Sequence, residues 1–320
     1  MKVCLLGGGG CFALNFARHL HSLGIDHFGI GRSRKPAPFW LAPEGYRFYT
    51  LHLVDDLDGV LAVLGVEKPD VIVNFAAQGE GAASFGSNAP DFYRTNTCGL
   101  IRFVGMLPDY VKRFIQISTS ELYGSVDKPS KETDPVYPNS PYAISKWAFD
   151  RHLEVMFKIR GFPMNIIRPS NCFTEGQQLY RVIPKAIVCA LKGEKLPLHG
   201  GGLAQKSYLH ATDLSKAILG VIEKGKLGKV YNCGPVLPIS ILALIVQVAE
   251  VCGVSWDELA EEVPDRTGQD GCYWLDSSEL ARDTGWTQTI GLARGLGGVV
   301  EWVKKYPELL SMPTVYEHRL

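Results

Sequence analysis

The stretch LLGGGGCFALNFARHL, residues 5–20, decides the fold. A short apolar run, Val3-Cys4-Leu5-Leu6, stops at four consecutive glycines, Gly7 to Gly10, and a helical pattern follows with Phe12, Phe16 and Leu20 on one face. Glycines between a strand and a helix permit a tight turn and let the backbone approach a pyrophosphate. The helix start beyond them offers free N–H groups and the positive end of the helix dipole. Gly7, Gly10, Cys11 and Phe12 are therefore candidate dinucleotide contacts, and Ala13 is small where the third glycine of such a fingerprint falls.

Outward from this turn, HFGIG (27–31), part of YRFYTLHLV (46–54), DVIVNFAA (70–77) and RFIQIST (113–119) read as strands separated by helical stretches. Continuous apolar strands alternating with helices imply a parallel sheet covered on both faces. After about residue 165 the loops lengthen and carry Gly, Pro, Asn and Tyr, while NIIRPSN (165–171) and KVYNCG (229–234) remain strand-like. The expected architecture is an α/β, Rossmann-type doubly wound parallel sheet. Residues 1–165 form its NAD(P)-binding part. Residues 166–320 form a smaller interleaved α/β substrate-binding region, with some segments returning to the sheet.

Composition narrows the function classes. Formal net charge is zero over 320 residues, so no global field favours nucleic acid or an anionic membrane. No run is long enough to span a bilayer, and the opening MKVCLLGGGG is too short for a signal peptide. Eight cysteines lie scattered without CxxC or metal-finger spacing, which predicts reduced thiols, no metal and a cytoplasmic location.

The end of the second strand reads Gly31-Arg32-Ser33-Arg34, with no acid for a ribose diol. Arg32 and Ser33 suit a 2′-phosphate, which favours NADP over NAD as the cofactor. Asp55, after the third strand, is a candidate for the adenine edge.

FIQISTSELYG (114–124) leaves its strand through Ser118, Thr119, Ser120 and Glu121. Strands often end in polar loops, but three hydroxyls and a carboxylate at a sheet's edge also suit proton transfer. Downstream, NSPYAISKWAFDRHLEVMFKIRG (139–161) is a well-marked helix, with Ser140 as N-cap, Pro141 in the first turn and Gly161 as stop. Tyr142 and Lys146 are four apart and share a face. An ammonium beside a phenol, aided by a cationic nicotinamide, is expected to pull its pKa from about 10 toward neutrality. Such a tyrosine can accept a proton from a sugar hydroxyl.

The Gly-rich turn, Ala76 and Ala77 in NFAA, Asn96 in YRTNTCG, STSELYG and SPYAISK arrive in the order and spacing of one superfamily. From residue 1 to about 305 the chain resembles the extended short-chain dehydrogenase/reductases, in their nucleotide-sugar epimerase and dehydratase branch. The resemblance implies a recycled NAD(P), with Ala76, Ala77 and Asn96 at the cofactor. It also implies that Tyr142, Lys146 and Thr119 oxidise C4 of the sugar. STSELYG looks most like the GDP-mannose 4,6-dehydratase type, in which the Glu121 position takes the C5 proton as water leaves C6. The product implied is a 4-keto-6-deoxy sugar.

Ser120 stands where the dTDP-glucose type has an aspartic acid. Protonation of the departing hydroxyl would then fall to Glu121 or to a water. An NDP-uronic acid decarboxylase shares STSE, but carries arginine where this chain has Lys206; an epimerase of the same family is the other alternative. On the substrate side the resemblance implies contacts from Ser84, Asn171, Lys206, Tyr208 and Arg266. Leu179, Tyr180 and Arg181 are candidates for the nucleotide base. Family members commonly pair as homodimers through two helices, here near 88–107 and 141–160. A cofactor-binding regulator without chemistry is a different class, and retention of Thr119, Glu121, Tyr142 and Lys146 together argues against it.

Overall fold

The computed structural model describes residues 1–264 and 270–318. Its centre is a parallel sheet of seven strands: β1 (Lys2–Leu6), β2 (Asp26–Gly31), β3 (Arg47–Thr50), β4 (Val71–Asn74), β5 (Arg113–Ile117), β6 (Met164–Pro169) and, after short pieces of which three bear on the site, Val230–Cys233. Those three are β7 (Asn171–Phe173), β8 (Gln205–Lys206) and β9 (Tyr208–His210), so the seventh sheet strand is β10; Cys272–Tyr273 is β11. The sheet order is β10-β6-β5-β4-β1-β2-β3, with every pair parallel. All seven expected strands are present.

Side chains alternate across the sheet, as a pleat requires. Val3 and Leu5 join the core beneath α1 (Cys11–Ser22), while Cys4 and Leu6 join the opposite core with Phe28, Phe103 and Phe149. The helices covering that second face are α2 (Leu57–Glu67), α4 (Leu100–Val104) and α5 (Pro141–Arg160), with the short α3 (Ala89–Tyr93) packed on α5. A π-helical stretch, Arg94–Gly99, joins α3 to α4. The chain's second half adds α6 (Val182–Lys192), α7 (Ala211–Lys224) and α8 (Leu292–Lys305). Helix α7 packs on the α1 face, and α6 and α8 build a separate core around Ile187, Val299 and Trp302.

Strand order reverses at β1, which lies between β2 and β4. Connections leaving β1 and β4 run to opposite sides there, which opens a crevice at the strands' carboxyl ends. Every functional feature below opens onto it.

Candidate active site

A cleft of about 1080 Å³ follows this crevice from the glycine turn to the second-half strands. At one end lies the glycine cradle. Gly7 has φ +70°, and a Cβ built on it would come 2.6 Å from the Ala76 backbone nitrogen. A Cβ on Gly9 would lie 2.8 Å from the Ser33 carbonyl oxygen. Side chains are thus excluded on both sides of the turn. Helix α1 begins at Cys11 with no side-chain cap and no acid in its first turn, leaving its first N–H groups to an anion. The cradle fits a dinucleotide's pyrophosphate. Gly7, Gly10, Cys11, Phe12, Ala76 and Ala77 line the cleft here, with Arg32 and Ser33 at the end of β2.

Beyond the cradle the chain leaves β5 through Thr119 into a 3₁₀ turn, Ser120–Tyr123. The Thr119 hydroxyl accepts the Glu121 N–H at 3.2 Å, which fixes the turn. Opposite stands the start of α5, capped by Ser140, whose hydroxyl accepts the Ala143 N–H at 3.1 Å. Thr119, Ser120, Glu121, Tyr142 and Lys146 all line the same cleft. Thr119 acts on the phenol of Tyr142, lowering its pKa. The Lys146 ammonium donates to the Ile117 carbonyl at 2.7 Å, and burial lowers its pKa to about 8. Burial pushes the Glu121 carboxyl up to about 7; Arg181 and Lys206 pull it down, while Glu80 and Asp270 push it further up. A carboxyl that changes charge near neutral pH can both take and return a proton.

The chain matches the NAD dependent epimerase/dehydratase family over residues 3–234. It belongs to that family. A dTDP-glucose 4,6-dehydratase of Streptomyces niveus is 33% identical over 265 residues, covering 82% of this chain and 77% of the relative. Among solved structures, the dTDP-glucose 4,6-dehydratase DesIV of Streptomyces venezuelae, with NAD bound, superposes with TM-score 0.88 at 28% identity, covering 96% of this chain and 98% of that one. A UDP-glucose 4-epimerase of Thermotoga maritima, with UDP-glucose, also reaches 0.88, at 25% identity, covering 95% and 99%.

Within this family member, several residues stand elsewhere than the sequence suggested. Asn96 is fully buried and outside the cleft wall; it accepts the Gln78 N–H at 2.8 Å and donates to the Ser145 hydroxyl at 3.0 Å. Sitting in the π-helical stretch, it ties the loop after β4 to α5 and so holds the cleft's shape. Ser84 is likewise buried and outside the wall, its hydroxyl donating to the Gly81 carbonyl at 2.6 Å. Asp55 is exposed and paired with Arg94 and His52, in a separate shallow pocket.

Burial and the Glu121 charge raise the Tyr142 pKa, while Thr119 and Arg181 lower it. The Lys146 ammonium rests on the Ile117 carbonyl, with the Asp150 charge nearby. Arg266 lies outside the described residues.

Asn171, Lys206, Tyr208 and the Leu179-Tyr180-Arg181 run do line the cleft. Lys206 donates to the Asp270 carbonyl at 2.8 Å and sits 3.4 Å above the Tyr273 ring centroid, and its pKa is lowered by burial to about 8. Arg181 pairs with Glu80 at 2.9 Å. Among the described residues no acidic, histidine or cysteine cluster could hold a metal, and no helix is long and apolar enough to cross a membrane. Cys11 and Cys172 line the cleft, but burial pushes both thiols up, Cys11 to about 12, so neither is a ready nucleophile.

Glu80, Asp270 and Tyr273 were not singled out from the sequence. The motif readings of their segments pointed to Ser84 and Arg266 instead, and only folding brings them to Glu121. A signal did exist for the network under the site. Arg168 interrupts the apolar run of β6 and is almost fully buried. It pairs with Asp150 at 3.3 Å and donates to the Tyr123 hydroxyl at 3.0 Å. Ser118 donates to the same Asp150 oxygen at 2.8 Å, and Tyr123 donates to Asn232 at 2.9 Å.

Proposed function

We propose that this family member is a nucleotide-sugar 4,6-dehydratase that converts a nucleoside-diphosphate hexose to its 4-keto-6-deoxy form with a recycled NAD(P). One observation carries the reading: Glu121, a carboxyl that titrates near neutral pH, shares the cleft with Thr119, Tyr142 and Lys146. An epimerase needs only the last three; a carboxyl beside them adds a group able to remove a carbon-bound proton.

In this reading Gly7, Gly10, Cys11 and Phe12 hold the cofactor's phosphates, Arg32 and Ser33 its adenosine end, and Ala76, Ala77 and Lys146 its reactive end. When bound, that cofactor would supply a hydride acceptor for C4 and, once reduced, a hydride donor for C6. Tyr142 accepts the C4 hydroxyl proton, with Thr119 orienting the phenol. The raised phenol pKa means that added positive charge nearby must ease that transfer. Glu121 then removes the C5 proton, which a 4-keto group acidifies. With Ser120 a poor acid, Glu121 passes its proton to the departing C6 hydroxyl, and C5 must regain a proton when the hydride reaches C6. Asn171 and Lys206 hold the diphosphate, Lys206 as a point charge, and Tyr208 lines the same subsite. Arg266 is assigned to the diphosphate by resemblance alone.

A panel of NDP-hexoses tests this. The expected product is a 4-keto-6-deoxy sugar; a C4 epimer would replace the reading with an epimerase, and CO2 from an NDP-uronic acid with a decarboxylase. The same assay carries a pH dependence. Ionised Glu121 is the competent base, so kcat/KM should climb as pH rises through about 7 and fall as the carboxyl protonates below it. A flat profile from about pH 6 to 8 would remove Glu121 as the base.

The proposed assembly is a homodimer joined through α5. Ile144, Trp147, Val155 and Ile159 form an exposed apolar stripe along that helix, Ile159 being 70% exposed. Light scattering after size exclusion should give twice the chain mass for the wild type and a monomer for Trp147→Asp; a monomeric wild type would dismiss it. The eight free cysteines suit a reducing compartment, and the cytoplasm is the proposed location.

A further inference from the structure

Residues 312–318 follow the 3₁₀ turn Pro307–Ser311 and run along the cleft, with Met312 and Tyr316 among its lining residues. Even-numbered residues of this segment are half-buried and odd-numbered ones exposed, the alternation of an extended chain lying on a surface. The Tyr316 ring meets Tyr180 edge-on at 5.1 Å between centroids. Its hydroxyl hydrogen-bonds His318 Nδ1 at 3.0 Å. The other ring nitrogen of His318 lies 2.9 Å from the Asp91 carboxylate, and the imidazole stacks on Phe92 at 6.1 Å and 22°. Phe92, fully buried in α3, lies edge-on to the Tyr142 ring at 6.3 Å. A row of rings thus runs from Tyr180 on the second-half wall, through the segment, to the phenol beside Glu121.

We propose that residues 312–318 are a strap closing the reaction chamber over the hexose, with Tyr316 and His318 as positioning residues. His318 clamps Phe92, and Phe92 backs the Tyr142 ring; Tyr316 fixes the strap to the opposite wall. The dehydratase reading supplies the reason such a strap matters. A 4-keto sugar and the electrons taken from it must stay together until they are returned, and water or early sugar release breaks the cycle. The strap itself stands on the ring and hydrogen-bond contacts, independent of which sugar reaction is run.

The variants Tyr316→Ala and His318→Ala, with Tyr316→Phe as the conservative control, test it in the cofactor-loaded enzyme. The first readout needs no turnover: iodide quenching of bound dihydronicotinamide fluorescence, without sugar. Opening the chamber should raise quenching roughly two- to three-fold in both alanine variants, with Tyr316→Phe near wild type because it keeps the ring contact. With sugar, both should lose about ten-fold in kcat and strand a several-fold larger share of cofactor in reduced form, melting temperature holding within about 2 °C. Unchanged quenching and kcat in both alanine variants overturns the strap. A collapse in melting temperature with equal losses in every readout overturns it too, making the segment a structural prop. If quenching rises as expected but the wild type makes no 4-keto-6-deoxy sugar from any NDP-hexose, the strap stands and the dehydratase reading falls.

Discussion

Replacing Glu121 by Gln is expected to lower dehydration by about 10²–10⁴-fold, the range a positioned general base supplies, while sugar oxidation at C4 survives. Gln keeps the size of the side chain and leaves untouched the backbone bond from residue 121 to the Thr119 hydroxyl, so the 3₁₀ turn persists. The base is lost. The negative charge that raises the Tyr142 pKa goes with it, so the phenol ionises more readily than before. The variant should therefore stop midway, with bound cofactor accumulating in reduced form when sugar is added. Rapid-mixing spectroscopy of the cofactor with quantification of released keto sugar separates the two steps. Wild-type turnover in the variant would take Glu121 out of the reaction.

Asp150→Ala should cost stability in place of a single chemical step, by about 3–5 kcal/mol, as removing one partner of a buried pair does. Asp150 is fully buried and Arg168 nearly so. The carboxylate holds the Arg168 guanidinium and the Ser118 hydroxyl at once, and its charge also faces Lys146 one turn earlier on α5. Alanine leaves a buried arginine charge without its main partner. A melting-temperature drop of roughly 5–10 °C follows. The double variant Asp150→Leu with Arg168→Met removes both charges and should recover most of that loss, since apolar replacement of a buried pair is often neutral. Activity should stay low in the double variant, because Ser118 and Tyr123 no longer anchor the turn that carries Glu121. Equal destabilisation in single and double variants would show that the pair acts through packing alone.

The parallel sheet was legible because each signal was local. Strand β1, the glycine turn and α1 are contiguous, and the Tyr142–Lys146 spacing is set by one helix's own geometry. Thr119 and Glu121 are two residues apart on one turn, so their convergence on a strand end was also readable. Asn96, Ser84 and Asp55 were misplaced for a common reason. Residue type indicates what a side chain can bond, not whether its partner is a ligand or the protein's own backbone. Asn96 and Ser84 are satisfied internally by the Gln78 and Gly81 backbone, and Asp55 by the neighbouring Arg94.

The sequence alone determined the layout of this protein: a glycine cradle between strand and helix, a seven-stranded parallel sheet, and a phenol, an ammonium and a carboxyl delivered to one sheet end. These depend on backbone periodicity and short-range spacing, which a linear chain carries in full. Only the tertiary structure decided the electrostatics and the walls. Glu121 titrates near neutrality because folding buries it; Arg181 and Lys206 pull its pKa back down and Glu80 and Asp270 push it up, four charges from four distant segments. The phenol's pKa is raised because folding buries it and sets the Glu121 charge beside it. Charge interactions and desolvation depend on distance and depth in space, and neither exists until the chain has folded.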